Sequence, residues 1–245
     1  MSMAPSNRSG PGMPTRTRAL TISLTSLFPD AFAAVPDDER ELAERALVAQ
    51  QLVGCDENLA DVLAASPDAF GFVVVDGIVL KETTLATRPA LEVLCAGDIL
   101  APPLSGPRQD ESRAVSCYLA HGPVSLAVLG ARFRAASRRW PAFGDELQDR
   151  LALQAHRASA HLSMLHEPRL DARIALLFAD LSERSGRMTP DGIVINISLT
   201  HELIGRLAGA RRPTVSLALQ ALADAGTLRR VDKDRWMIPR NSDSA

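Results

Sequence analysis

LTHELIGRLAGARRPTVSLALQALADAGTLRR, residues 199–230, carries the strongest local signals in the chain. Thr200 stands where a hydroxyl can cap a helix, and Glu202 follows in the first turn, where the helix dipole favours an acid. Glu202–Ala208 reads as a short helix with Leu203, Ile204 and Leu207 inward, and Gly209 breaks it. A second helix begins near Arg212, with Pro213 in the first turn, where proline is tolerated. It runs to Ala223 or Asp224, and Gly226 takes the C′ position. Two short helices joined by a glycine-containing turn of three or four residues make a helix-turn-helix.

At about 100° per residue the faces of the second helix separate. Val215, Ala218, Leu219 and Leu222 fall together and must face a core, whereas Pro213, Ser216, Leu217 and Gln220 point the other way. Arg211 and Arg212 sit at its N-terminal end. A helix that enters a DNA groove needs this arrangement: N-terminal residues reach base edges while the back is buried. Arginine there can bond bidentately to guanine, worth about 1–3 kcal/mol of discrimination, and the helix N-terminus with the Thr214 or Ser216 hydroxyl can hold phosphate oxygens. Thr227–Val231 and Trp236–Ile238, joined by the turn Asp232–Arg235, read as a β-hairpin wing. Arg229, Arg230, Lys233 and Arg235 suit a phosphate backbone, while Asp232 and Asp234 oppose it, so a modest contribution is expected. An αα-hairpin in an ordinary core can mimic a lone helix-turn-helix; here helix, turn, arginine-led second helix and basic wing agree.

Upstream, Leu170–Ser185 is an amphipathic helix with Ile174, Leu177, Phe178 and Leu181 on one face, followed by a strand over Gly192–Ile197. Asp145–His166 contains no Gly or Pro and reads as a helix about 33 Å long. Leu147, Leu151, Ala158 and Leu165 form a stripe along it, with Ala155 and Leu162 on one flank and Gln154 and His161 on the other. So narrow a stripe on so long a helix fits a dimer seam; the alternative is a connecting helix packed on its own domain.

Between residues 59 and 130 the pattern is β. Phe70–Val75 and Ile78–Leu80 flank Asp76-Gly77, a hairpin signal. Short runs at Leu91–Cys95, Ile99–Leu100, Ala114–Leu119 and Val124–Leu129 follow, separated by Gly, Pro or Asp, as in a sandwich or barrel. Nearer the start, Asp37–Leu52 reads as a helix with Asp37, Asp38 and Glu39 in its first turn, after a short apolar segment at Thr21–Leu27. Residues 1–18, rich in Pro, Gly, Ser and Arg, read as a disordered tail.

The 245 residues suffice for two ordinary domains, and 46% apolar content supports a real core. No run is long and apolar enough to span a bilayer, and no secretory leader is evident, so a cytoplasmic, non-membrane protein is expected. Three scattered cysteines (Cys55, Cys95, Cys117) argue against a disulfide framework; Cys95 and Cys117 read as small buried hydrophobes in strands. Net charge is −2, but residues 167–245 hold 12 basic and 10 acidic residues against 15 and 19 in residues 1–166. The C-terminal part is therefore the one suited to a polyanion. The five histidines are scattered, which gives no metal site, and no nucleophile elbow, phosphate loop or HExxH motif points to an enzyme.

RRPTVSLALQAL within Leu199–Arg230 resembles the C-terminal helix-turn-helix of the Crp/Fnr transcription regulators, FGFVVVDGIVL and VLCAGDIL resemble the β-roll of that family, and Asp145–His166 occupies the position of its dimerisation helix. The resemblance covers roughly residues 40–240. It implies an α+β chain: a cyclic-nucleotide-binding-like effector domain, a double-stranded β-roll, over 19–144, a dimerisation helix over 145–166 and a winged helix-turn-helix over 167–245. It also implies a homodimer on a near-palindromic double-stranded operator, with RNA polymerase as a further partner. By motif position Arg212 matches a base-contacting arginine, and Thr214 and His201 match positions near phosphates. The expected DNA-facing set is Thr200, His201, Arg211, Arg212, Thr214, Ser216, Gln220, Arg229, Arg230 and Lys233.

The chain departs from the family pattern at Pro213, where the family has Glu, and at Leu217, where it has a second arginine. The resemblance therefore does not carry the common half-site over. The Gly-Glu and Arg-Ser or Arg-Thr that cradle a cyclic phosphate are missing, with Arg113-Ala114 the nearest trace. Cyclic AMP is not expected to bind tightly, no cofactor is expected, and the absence of cysteines before residue 55 speaks against an iron–sulfur cluster. The competing reading is a small-ligand-binding module whose C-terminal helices only pack and do not touch DNA.

Overall fold

A computed structural model describes residues 18–55, 59–85, 89–102 and 114–240. The expected tail lies outside these residues except for Arg18, which opens the first strand, and Arg113 lies outside them too. Two antiparallel sheets form the N-terminal half. The larger holds β1 (Arg18–Ser23), β2 (Val48–Cys55), β3 (Gly71–Asp76), β6 (Ile99–Leu100) and β8 (Val124–Leu129) in the order β1-β2-β8-β3-β6. The smaller holds β4 (Val79–Thr84), β5 (Pro89–Leu94) and β7 (Val115–Ala120) in the order β5-β4-β7.

Side-chain alternation explains the layering. In β3, Phe72 and Val74 point between the sheets, where they meet Leu52, Val79, Leu94, Leu100, Tyr118 and Leu126. Val73 points outward under a helical layer. Buried on both faces, β3 is apolar throughout. The helical layer comprises α1 (Pro29–Ala33), α2 (Arg40–Ala46), α4 (Ala131–Arg139) and the start of α5 (Ala142–Leu165), with Phe28, Phe133 and Phe143 at its centre. A further short helix, α3 (Ala60–Ala64), buries Leu63 against the inter-sheet core.

Two local expectations are corrected. The helix expected over Asp37–Leu52 is a 3-10 turn (Asp37–Glu39) and α2, which ends at Ala46; Val48–Cys55 is a strand between β1 and β8. Its apolar run is compatible with either period, and pairing on both edges decides for the strand. Asp76-Gly77 does not close a hairpin, because β3 pairs with β6 and β8 while β4 pairs with β5 and β7. The dipeptide is the corner where the chain passes from one sheet to the other. Gly77 has φ +88°, and a Cβ there would lie 2.4 Å from the Pro123 carbonyl oxygen.

The C-terminal part is α6 (Leu170–Ser185), the hairpin β9 (Gly186–Thr189) and β10 (Gly192–Ile195), α7 (His201–Leu207), α8 (Arg212–Asp224), and β11 (Arg229–Arg230) with β12 (Trp236–Pro239). Its sheet runs β11-β12-β10-β9, so the expected wing is present, and β9 is a strand the sequence did not announce. Ile174, Leu177, Phe178 and Leu181 of α6 are all buried, as their spacing requires.

The two halves share one apolar core. Leu80, Leu91, Val93 and Cys95, on the outer side of the smaller sheet, pack in the same cluster as Leu177, Leu181, Leu203 and Leu207. Polar contacts reinforce this seam. The Asp98 carboxylate accepts the Cys95 N–H at 2.7 Å and pairs with Arg157 of α5 at 3.3 Å and with Arg184 of α6. Arg184 also donates to the Val93 carbonyl at 2.8 Å. His121 Nε2 donates to the Ser198 carbonyl at 2.8 Å, and Arg206 of α7 pairs with Glu82 of β4.

Cys95 is buried, and burial pushes its thiol up to about 11. Cys117 does not follow the buried-hydrophobe expectation: it lies on the exposed side of β7, because its neighbour Tyr118 takes the inward position.

Candidate nucleic-acid interface

Local chemistry builds the helix-turn-helix. Thr200 Oγ1 accepts the Leu203 N–H at 3.1 Å, the capping bond its sequence position foretells. Gly209 (φ +64°) ends α7, and Arg173 of α6 donates to the Ala208 carbonyl at 2.9 Å, satisfying a carbonyl at that helix end. The two helices approach closely at Gly205, where an added Cβ would sit 2.7 Å from the Ala210 carbonyl oxygen and 3.4 Å from Val215. Only glycine fits there without movement of the turn.

Helix α8 is divided as its spacing predicts. Val215, Leu219 and Leu222 are buried, and Ala218 packs against the same core. Arg211, Arg212, Pro213, Thr214, Leu217 and Gln220 are exposed. Neither Arg211 nor Arg212 makes a side-chain ion pair among the described residues, so both guanidinium groups face solvent uncommitted.

His201 and Ser216 come together across the motif, with Nδ1 2.9 Å from Oγ. The Ser216 hydroxyl hydrogen is directed to the Arg212 carbonyl at 3.1 Å, so its oxygen accepts and His201 Nδ1 carries the proton. Nε2 of the neutral ring is then left as an acceptor. Burial lowers the His201 pKa below 6.5, and the nearby charges of Arg230 and Arg212 lower it further. The meeting of His201 with Ser216 was not readable from spacing, because 15 residues separate them.

The wing is more self-engaged than its composition suggests. Arg230 donates to the carbonyls of Asp232 at 3.0 Å and Lys233 at 2.8 Å, and its guanidinium lies 5.5 Å from the centre of the Trp236 ring. Arg229 reaches the Met237 sulfur at 3.3 Å, and Arg235 pairs with Asp232. Lys233 is exposed, with its side chain in no ion pair among the described residues. On α8, Gln220 Nε2 donates to the Asp224 carboxylate at 2.8 Å. Of the expected set, His201, Arg212, Ser216 and Arg230 are thus brought together. Arg211, Thr214 and Lys233 are presented singly, Thr200 and Arg229 are engaged in structural bonds, and Gln220 is held by an acid.

The long helix α5 divides its surface. Phe143 and Met164 are buried, Gln154 Nε2 donates to the Ile99 carbonyl at 3.1 Å, and Arg157 faces Asp98. Leu147 and Leu165 lean on the chain's own cores, while Leu151 (45% exposed), Ala155 and Leu162 (59% exposed) face solvent. Of the stripe seen in sequence, one part is therefore committed internally and the other is open.

Residues 172–240 match the family model of the Crp-like helix-turn-helix domain. Among solved structures, the chain is similar to FixK2 from Bradyrhizobium japonicum (TM-score 0.55, 18% identity, 78% of this chain and 88% of that one). It is similar to a mutant of CooA from Carboxydothermus hydrogenoformans (TM-score 0.54, 22% identity, 69% and 73%). It is also similar to TTHB099, a transcriptional regulator of the CRP family from Thermus thermophilus (TM-score 0.51, 22% identity, 69% and 83%). A comparison with curated proteins finds no match. No helix among the described residues is long and apolar enough to cross a membrane. Residues 172–240 are thus a Crp-like helix-turn-helix domain, and the two antiparallel sheets and long helix that carry it share the fold of these solved regulators.

Proposed function

We propose that this chain is a homodimeric, sequence-specific DNA-binding regulator, not an enzyme, and that cyclic AMP does not gate it. One observation carries the DNA reading: α8 holds Arg211, Arg212 and Thr214 outward on a helix whose back, Val215, Leu219 and Leu222, is anchored in the core. Arg212 reads a base, while Thr214, Arg211, Lys233 and the His201–Ser216 pair lie against phosphates. Thr200, Arg229 and Arg230 hold the motif and wing in shape and add positive charge at its edge, and Gln220 marks the far end of the reading face.

The homodimer reading is supported by the open side of α5. Leu151, Ala155, Ala158, Leu162 and Leu165 follow one another at alternating steps of four and three, the repeat of a two-helix seam, and Leu151 and Leu162 have no cover of their own. Pairing there would set two copies of α8 for successive major grooves, about 34 Å apart. An effector, where one acts, would shift the C-terminal part about Glu167-Pro168-Arg169, between α5 and α6. Support for independence from cyclic AMP is the sequence after Gly97-Asp98, which lacks the Gly-Glu and the Arg-Ser or Arg-Thr that would cradle a cyclic phosphate.

The test is duplex binding by the full chain. Affinity should fall steeply with salt, as counterion release requires. Arg212→Ala should lose the preference for a selected operator over random duplex by about ten- to a hundredfold, a bidentate base contact, while binding random duplex nearly as before. Equal weakening on both duplexes would make Arg212 a phosphate contact, and salt-insensitive or absent binding would favour the ligand-module reading.

A further inference from the structure

Leu217 is 74% exposed, more than any other large hydrophobic side chain among the described residues. Val215, Leu219 and Leu222 define the buried direction of α8. At about 100° per residue Leu217 lies within roughly 30° of the opposite pole. Pro213 and Ala221, one turn before and one turn after, are exposed as well. The middle of the outer face is therefore an apolar strip, Pro213–Leu217–Ala221, with Arg212 at its N-terminal end and Gln220 along one side, the latter occupied by Asp224. Nothing among the described residues covers this strip. Arg211 and Arg212 at its N-terminal end, and Arg230 close enough to act on His201 beside Ser216, make a polyanion the complementary occupant.

An aliphatic side chain cannot read the donors and acceptors of a base edge. The one feature of the major groove it can recognise is the 5-methyl group of thymine. We propose that Leu217 is a specificity-determining residue that packs on a thymine methyl, so that this chain selects its site partly by apolar contact. The proposal rests on the reading of α8 as the groove-entering helix. Leu217 follows Arg212 by five residues, about 7.5 Å along the axis, which at about 3.4 Å per base pair places the thymine about two base pairs from the base that Arg212 reads.

The full chain is first used to select its operator from a random duplex library. Each thymine of the half-site is then replaced by deoxyuridine, which removes only the methyl, and binding is followed by fluorescence anisotropy. One thymine, about two base pairs from the position that loses its preference in Arg212→Ala, should matter. Its replacement should weaken the wild type about fourfold per half-site, the worth of one buried methyl-sized group, and leave Leu217→Ala unchanged. Arg212→Ala should keep the deoxyuridine effect. Wild type and Leu217→Ala responding equally at every thymine, or a selected half-site with no thymine near that position, would overturn the proposal and leave α8 as a DNA reader. A chain that binds no duplex at all would remove the recognition-helix reading and this inference together. Leu217 touches no core, so Leu217→Ala should fold normally, and a thermal midpoint within about 2 °C of wild type checks this.

Discussion

Asp98→Asn tests the seam between the two halves. The wild-type carboxylate has 7% of its side-chain surface exposed and meets the Arg184 guanidinium, itself 8% exposed, with Arg157 at 3.3 Å and the Cys95 N–H at 2.7 Å as further partners. The substitution keeps the shape and removes the charge, leaving a desolvated guanidinium with only Asp180, 3.2 Å away and half-exposed, to balance it. Breaking a buried pair from one side costs about 3–5 kcal/mol, and the remaining Asp180 contact lowers this to about 2–4 kcal/mol. For a chain of this size 1 kcal/mol moves the midpoint by about 2–4 °C, so a fall of about 4–16 °C is expected in thermal melts followed by circular dichroism. Because the pair is buried, the fall should persist from about 0.05 to 0.5 M salt. Adding Arg184→Met should recover at least half of the loss, since it removes the stranded charge. A shift below about 2 °C, or no recovery in the double variant, would show that the pair is solvated and does not lock the C-terminal part to the smaller sheet.

Four further outcomes are expected. Gly205→Ala forces a Cβ to 2.7 Å from the Ala210 carbonyl oxygen and should destabilise the helix-turn-helix by about 1–3 kcal/mol, read by chemical denaturation, with duplex binding lost in parallel. His201 is held neutral, its pKa lowered by burial and by Arg230 and Arg212, so a phosphate at Nε2 must draw in a proton; operator affinity should rise as pH falls through and below 6.5, and His201→Gln should flatten that dependence. The same lowered pKa acts oppositely on folding: its stabilisation is present above 6.5 and declines as pH falls below it. In the native protein a maleimide should label Cys117 and spare Cys95, whose thiol is buried with a pKa of about 11; equal labelling rates would contradict the described packing.

The C-terminal motif was legible because its signals are local. The Thr200 cap, the inward set Val215, Leu219 and Leu222, and the buried face Ile174, Leu177, Phe178 and Leu181 all follow from helical period and capping chemistry within a few residues of each other. The strands between residues 71 and 129 were legible as strands for the same reason.

Partners were not legible, because pairing is set at long range. Val48–Cys55 became a strand only because β1 and β8 offered both of its edges, and Asp76-Gly77, which reads as a hairpin, serves as a corner because β3 and β4 found other neighbours. Docking of the C-terminal part lay equally out of reach, since Asp98 and Arg184 are 86 residues apart and Glu82 and Arg206 are 124 apart. Local sequence determines which face of each segment is apolar and which helix tip carries arginine. Tertiary structure alone decides what covers each face and which charges are neutralised, because burial and Coulomb energy depend on distance in space and not on distance along the chain.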